Sequence, residues 1–242
     1  MLPAACGLPP PPGLVAHRGA SGEYPENTLA SLTAASEQGA HMLEVDLQLA
    51  ADGELVAVHD FEVETAWGPR IVEETPAEEL RSLISDRNDI GAPYPTLAEI
   101  LTALPGEMPL NLELKRRRAD AALWPDRLLE ELGARPRVLV SSFDWELLAS
   151  IRRDAPDMPL APIGARKPHD LLRAAERLGA ATVHCHRRLA FGDFFTAAGS
   201  SGWPVIVYTV NDARTARDLF ARGAAGVFTD FPGALLEELD LA

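Results

Sequence analysis

Sulfur is scarce in this sequence: Cys6 and Cys185 are the two cysteines among 242 residues. So few thiols exclude a disulfide framework, and their surroundings read as ordinary thiols of a reducing compartment. Basic residues are also in short supply, with 22 Lys and Arg against 36 Asp and Glu and a net charge of -14. That field repels phosphate-rich polymers and anionic bilayers, so neither nucleic acid nor a membrane is expected as a partner. Any phosphate the chain binds is small and locally managed. No window reaches the ~18 apolar residues that cross a bilayer. The start, MLPAACGLPPPPGL, has no basic leader or apolar stretch ahead of Cys6, so lipidation is not expected and the expected location is the cytoplasm.

What is present is a rhythm. Hydrophobic residues make up 47% of the chain, enough for a large single core. Short apolar runs occur at Leu14–Ala16, Met42–Leu47, Leu110–Leu114, Val138–Val140, Leu160–Ile163, Thr182–Cys185, Val205–Tyr208 and Gly226–Phe228. Helical periodicity fills the intervals at Thr28–Gln38, Thr96–Leu104, Asp126–Leu132, Trp145–Arg153, Asp170–Leu178 and Asp212–Arg222, with a weaker helix near Phe194–Ala198. Asn27, Asp144 and Asn211 are placed as N-caps, and several helices stop at a glycine. Eight strands alternating with helices predict an α/β fold, a (β/α)8 TIM barrel, whose chemistry sits at the C-terminal strand ends. One domain, residues 1–242, is expected.

A further apolar run, Leu55–His59, follows Met42–Leu47 too closely for a parallel crossover. Asp52-Gly53 between them signals a two-residue hairpin turn. A turn centred there pairs residues whose numbers sum to about 105, which sets His59 across from Asp46 with Glu44 on the same face. The polar excursion at about residues 61–95, rich in Glu, is long enough to form a small cap over the barrel mouth.

Strand ends carry polar groups that a purely structural role does not explain. VAHRGASGEYPENT gives His17, Arg18 and Glu26-Asn27-Thr28; the second run gives Glu44 and Asp46; NLELK gives Glu113 and Lys115 on one face. Each pair of carboxylates ~4 Å apart repels by roughly 4 kcal/mol at an effective dielectric near 20, and a cation removes the conflict. An all-oxygen set points to a divalent cation, Mg²⁺ or Ca²⁺, ahead of zinc. Arg18 and Lys115 suit a bound phosphate. His17 and His59, on different strands, are suited to moving protons on opposite sides of one phosphorus.

These residues, in this order, resemble the glycerophosphodiester phosphodiesterases: His17-Arg18-Gly19, Pro25-Glu26-Asn27-Thr28, Glu44-Val45-Asp46, Asp52-Gly53, His59-Asp60 and Glu113-Leu114-Lys115. Looser echoes run through Ser141-Ser142-Phe143, Tyr208-Thr209-Val210-Asn211 and Thr229-Asp230. The resemblance implies His17 and His59 as the acid/base pair and Glu44, Asp46 and Glu113 as metal ligands. It implies Arg18, Lys115 and Tyr208 as substrate contacts, and a cap that shapes the pocket. The substrate implied is a small glycerophosphodiester, cleaved to glycerol 3-phosphate and an alcohol. Three departures concern head-group choice: Tyr208 stands where Trp is common, Ala225 stands where an acidic residue is frequent, and Glu64-Thr65-Ala66-Trp67-Gly68 replaces an Arg-Thr-Thr-like run.

Alternative readings are a lysophospholipase D-like activity on the same fold and a non-catalytic barrel that binds a metal and a phosphorylated ligand. Arg116, Arg117 and Arg118 read as loop charges, since they stand isolated in an acidic chain without interleaved aromatics. His184 and His186 share one strand face, which leaves room for one of them to line the pocket.

Overall fold

The computed structural model describes residues 13–64, 68–82 and 93–241. Cys6, the Pro9–Pro12 lead-in, Thr65 to Trp67 and the later part of the expected cap lie outside the described residues. Each expected run forms a strand: β1 (Gly13–Ala16), β2 (Met42–Leu49), β6 (Leu110–Leu114), β7 (Val138–Ser142), β8 (Leu160–Gly164), β9 (Val183–His186), β10 (Val205–Tyr208) and β11 (Gly226–Thr229). These eight are parallel to their neighbours, and β1 pairs with both β11 and β2, so the sheet closes into a TIM barrel.

Burial on both faces explains why the strands read as continuous apolar runs. Leu43, Val45, Leu47, Leu112 and Val140 face outward under the helices. Val15, Met42, Leu139, Ala161, Ile206 and Phe228 pack together inside the barrel. Along β2 the inward parity continues from Met42 to Glu44 and Asp46, so the same alternation that fills the floor places acids at the mouth.

The helices are α1 (Leu29–Glu37), α3 (Leu97–Ala103), α4 (Trp124–Leu132), α5 (Trp145–Asp154), α6 (Pro168–Leu178), α7 (Phe194–Ser200), α8 (Ala213–Ala221) and α9 (Pro232–Leu239). Three differ from expectation for one reason. Helices α4 and α6 begin two residues earlier than the periodicity suggests, and α9 was not expected; each carries Pro in its first turn. A first-turn Pro loses no hydrogen bond and presets φ, so it starts these helices instead of preceding them.

Two N-caps also shift by one residue. Thr28, not Asn27, caps α1 through a reciprocal box with Ser31, and Asp212, not Asn211, caps α8 by accepting from Thr215 N. Asp144 caps α5 as expected. Both displaced asparagines turn towards the barrel mouth instead.

The hairpin forms, but its register differs from the expected one. β3 (Leu55–Ala57) is antiparallel to β2 with Leu47 opposite Ala57 and Leu49 opposite Leu55. Ala50 N donates to Glu54 O at 2.9 Å, closing a three-residue loop in which Gly53 has φ +83°. Gly53 therefore serves the left-handed position after a turn, not the centre of a two-residue turn. The pairing moves by one residue, and Val58 N donates to Asp46 O at 3.0 Å. Since β6 and β3 both pair at Leu47, they occupy opposite edges of β2, and β3 continues along the edge that β1 leaves.

After β3 the chain forms a two-stranded ribbon, β4 (Glu62–Val63) and β5 (Arg70–Ile71), and then α2 (Ala77–Ser82). Val56, Val58, Val63, Val72, Ala77 and Leu80 make a small apolar cluster of their own beneath it. The segment returns at Thr96, bridged to Val56, where Ala57 N donates to Pro95 O at 2.8 Å. Among the described residues no helix is long and apolar enough to cross a membrane.

Candidate active site

One cavity of about 210 Å³ opens at the C-terminal strand ends, lined by His17, Arg18, Glu44, His59, Glu113 and Lys115 among others. Glu44, Asp46 and Glu113 each offer an oxygen, and these atoms lie within 4.8 Å of one another. Strand register explains the meeting: Asp46 sits directly across from Glu113, and Glu44 is one inward position earlier on β2.

The acids differ in what balances them. Burial, then the neighbouring Asp46 and Glu113, pushes the Glu44 carboxyl well above the usual range; Arg18 opposes this. Its Oε2 accepts from Arg18 N at 2.8 Å, while the buried Oε1 has no partner. Burial also acts upward on Asp46, yet Arg18, Lys115, His59 and an Asn27 hydrogen bond together hold it below its ordinary value. Asn27 clamps Asp46 twice, Nδ2 donating to Oδ2 at 2.9 Å and Oδ1 accepting from Asp46 N at 3.0 Å. Burial and Asp46 raise Glu113 to about 7, against Lys115 and Arg18. An all-carboxylate cluster with a buried, unpartnered oxygen fits a hard divalent cation.

Arg18 is the pivot of the first loop. Its Nη1 donates to Glu26 at 2.8 Å and its Nε lies 2.9 Å from Asp46 Oδ2. The residue holds φ +57°, a conformation that costs a non-glycine residue energy and persists where surroundings over-determine it. Here Arg18 O accepts from Asn27 N and Ser31 Oγ. Gly19, at φ +80°, has no room for a side chain, since a Cβ would lie 2.5 Å from the backbone of Ser31. Lys115 Nζ stands 3.4 Å from Glu113 and 3.7 Å from Asp46.

The histidines are each held by a carboxylate at the same ring atom. His17 Nδ1 is 2.7 Å from Asp230 Oδ1, and His59 Nδ1 is 2.6 Å from Asp60 Oδ1. An ionised carboxylate only accepts, so Nδ1 carries the proton in both rings and Nε2 is left for the cavity. Asp230 is steadied by Ser21 Oγ at 3.2 Å and by Asn211, whose Nδ2 donates to it at 2.6 Å. Burial lowers the His59 imidazole, with Arg18 and Lys115 acting in the same direction and Asp46 against. His59 reaches the cavity in spite of the shifted register because β3 ends at Ala57 and the chain bends there. Gln48 Nε2 fixes that bend by donating to the carbonyls of Val58, His59 and Asp60 at 2.8 to 3.2 Å.

Tyr208 lines the cavity, but its hydroxyl is committed to Gly164 O at 3.0 Å, so it offers the pocket a ring. Phe143, half exposed at 50%, meets it edge-on at 6.0 Å. Arg116 is not a free loop charge, for its Nε donates to Asp144 at 2.7 Å. Of the two strand histidines, His184 lines the cavity and His186 accepts from Arg188 N outside it. Sequence reasoning missed Gln48 and the anchoring roles of Asp60 and Asp230. Both acids follow a strand end beside a motif residue, a signal that was available for Asp60 next to His59.

The glycerophosphoryl diester phosphodiesterase family model matches residues 17–234. The chain belongs to that family. It is an enzyme of the family, and the matched span contains every residue described above in the cavity. The glycerophosphodiester phosphodiesterase of Caldanaerobacter subterraneus is 27% identical, with 92% of this chain and 96% of the relative covered. The Bacillus altitudinis enzyme of the same name is 29% identical over 90% of this chain and 94% of its own. An Oleispira antarctica phosphodiesterase, solved in complex with the product sn-glycerol 3-phosphate, superposes with a TM-score of 0.87 at 31% identity, covering 95% of this chain and 97% of the other.

Proposed function

We propose that this enzyme hydrolyses glycerophosphodiesters to glycerol 3-phosphate and an alcohol, with His17 and His59 as the acid/base pair. The observation that carries the reading is the pair of carboxylate-anchored imidazoles in one cavity with the three acids. Glu44, Asp46 and Glu113 would hold Mg²⁺ or Ca²⁺, which when bound polarises phosphoryl oxygens and lowers the pKa of a coordinated hydroxyl. Arg18 and Lys115 contact the equatorial phosphoryl oxygens and stabilise the charge that builds there. His17 takes the nucleophile's proton at Nε2. His59 enters the step as the imidazolium, with Nδ1–H on Asp60 and a second proton at Nε2; burial and two neighbouring cations loosen that second proton, which passes to the leaving alkoxide and leaves the neutral ring.

The Tyr208 and Phe143 rings meet edge-on in the lining of the cavity and are read as head-group contacts. The segment at about residues 61–95 is read as a cap on this mouth within a single barrel domain. The reduced, buried Cys185, whose thiol burial pushes up to about 12, accords with a cytoplasmic setting.

A coupled assay for released glycerol 3-phosphate tests the reading, with and without EDTA, on the native protein and on His17→Ala and His59→Ala. Each substitution is expected to cost about 10²- to 10⁴-fold in kcat, and EDTA to abolish turnover. Equal rates for all three proteins sink the assignment. Turnover only of acylated substrates in micelles favours the lysophospholipase D reading, and product binding without turnover favours the non-catalytic barrel.

A further inference from the structure

Below the level of Asp46 and Glu113 the cavity is lined by neutral polar groups that the protein itself leaves unsatisfied. Asn111 is 1% exposed, and neither its Oδ1 nor its Nδ2 has a hydrogen-bond partner. His184 is fully buried, and both its ring nitrogens lack partners. The two residues come from β6 and β9, and both line the cavity that His17, Glu44 and His59 line. Asn111 sits opposite Glu44 in the β2–β6 register, one inward position deeper than Glu113. The His184 ring lies edge-on to Phe228 with centroids 5.0 Å apart, so an apolar side chain flanks it and supplies no hydrogen bond.

This layer of a barrel is ordinarily filled by branched apolar side chains. A buried amide or imidazole without a partner gives up its hydration and receives nothing in exchange, so native interiors rarely keep one. Two such groups facing one cavity mark a place where the missing bonds come from a bound molecule. The chemistry of that molecule follows from the donors and acceptors. Burial holds the His184 ring down to about 3, so it is uncharged near neutrality and presents one donor and one acceptor. Asn111 presents donors and an acceptor in the same way. A phosphate gains little from an uncharged floor, whereas a hydroxyl, which donates and accepts at once, satisfies both kinds of atom.

We infer that Asn111 and His184 form a diol-recognition subsite that binds the free hydroxyls of the substrate's glycerol end. The inference rests on the hydrolase reading above for the identity of the ligand. It orients that ligand in the cavity: phosphate against Arg18 and Lys115 at the rim, glycerol directed downward, alcohol leaving group towards Tyr208 and Phe143. One inward step along β6, about 6.7 Å, separates the Glu113 level from Asn111, a gap that a glycerol chain covers with its terminal oxygens and a hydrogen bond at the far end.

Titration calorimetry on the full chain with Mg²⁺ present tests the subsite, using sn-glycerol 3-phosphate and propyl phosphate, which keeps the anion and lacks the hydroxyls. The native protein is expected to prefer glycerol 3-phosphate by about tenfold or more. Asn111→Leu and His184→Phe are each expected to weaken glycerol 3-phosphate about tenfold and to leave propyl phosphate within about twofold. Melting temperatures of both variants are expected to hold or rise, because an unsatisfied polar group is replaced by an apolar one. A purely structural role for these residues would lower them.

Equal affinity of the native protein for the two ligands overturns the proposal without any variant. So does equal weakening of both ligands in the variants, or no weakening of either, which would assign the floor to enclosed water. Failure of the hydrolase reading is separable. A native protein that binds glycerol 3-phosphate through Asn111 and His184 but releases none from glycerophosphodiesters loses the reaction and keeps the subsite. One that hydrolyses the diester while both variants bind the product normally loses the subsite alone.

Discussion

Asp230 reaches across the closure of the barrel to set the ring of His17, Oδ1 against Nδ1 at 2.7 Å, although 213 positions separate them in the chain. The contact fixes both the tautomer and the direction of Nε2. Asp230→Asn replaces an acceptor with a group that can turn its amide donor to the ring and select the other tautomer. It is expected to lower kcat on the order of 100-fold with KM little changed, in line with the usual weight of a positioned acid or base. Steady-state kinetics on a glycerophosphodiester measure the split, and a loss confined to KM refutes the positioning role.

Ligand linkage predicts a thermal signature of the acidic cluster that needs no turnover. A cation at about 100 times its Kd adds about 2.7 kcal/mol, and a domain of this size gains roughly 2–4 °C per kcal/mol, so Mg²⁺ or Ca²⁺ is expected to raise Tm by about 5–10 °C. EDTA reverses the rise. In Glu113→Gln, which keeps the shape and removes a charged ligand, the increment shrinks; an undiminished increment places the cation elsewhere.

Gln48, buried at 3% exposure, secures with one amide the three carbonyls that turn His59 into the cavity. Gln48→Leu is expected to cost about 2 kcal/mol by leaving those carbonyls without a donor, or roughly 4–8 °C in Tm. Activity falls as well, mainly in kcat, because the imidazole loses its fixed approach. Denaturant unfolding together with kinetics checks both; a stable variant with native kcat removes Gln48 from the account.

His184 also makes stability depend on pH. Its folded pKa, near 3, lies below the ordinary value of 6.5, so the unfolded chain binds the extra proton first. The associated stability is complete above pH 6.5 and is lost as pH falls towards 3, at up to about 1.4 kcal/mol per pH unit. His184→Phe is expected to flatten the Tm profile between pH 6.5 and 4. An unchanged slope in that window assigns the acid sensitivity to other groups.

The parts of the site that sequence made legible are those governed by short-range period. Glu44 with Asp46, and Glu113 with Lys115, lie two apart on strands, and alternation alone puts each pair on one face. The barrel followed from the same signals, since buried parallel strands and capped helices write themselves locally. What stayed hidden depends on partners remote in sequence. Asn27 and Asn211 looked like helix caps because Asn is good at that task, yet their amides hold Asp46 and Asp230, 19 positions away in each case. Asp52-Gly53 announced a hairpin correctly, but a glycine at φ +83° serves two loop lengths, and only the closing Ala50–Glu54 bond distinguishes them.

Because Ala57 N bonds to Pro95 O and Val56 bridges Thr96, the insertion departs from the barrel and rejoins it at a single seam. A graft of different length placed beyond Asp60 and before Pro95 would meet ends held close by that seam. Such a change would leave the spacing of the eight staves untouched and keep His59 on the stem that Gln48 secures.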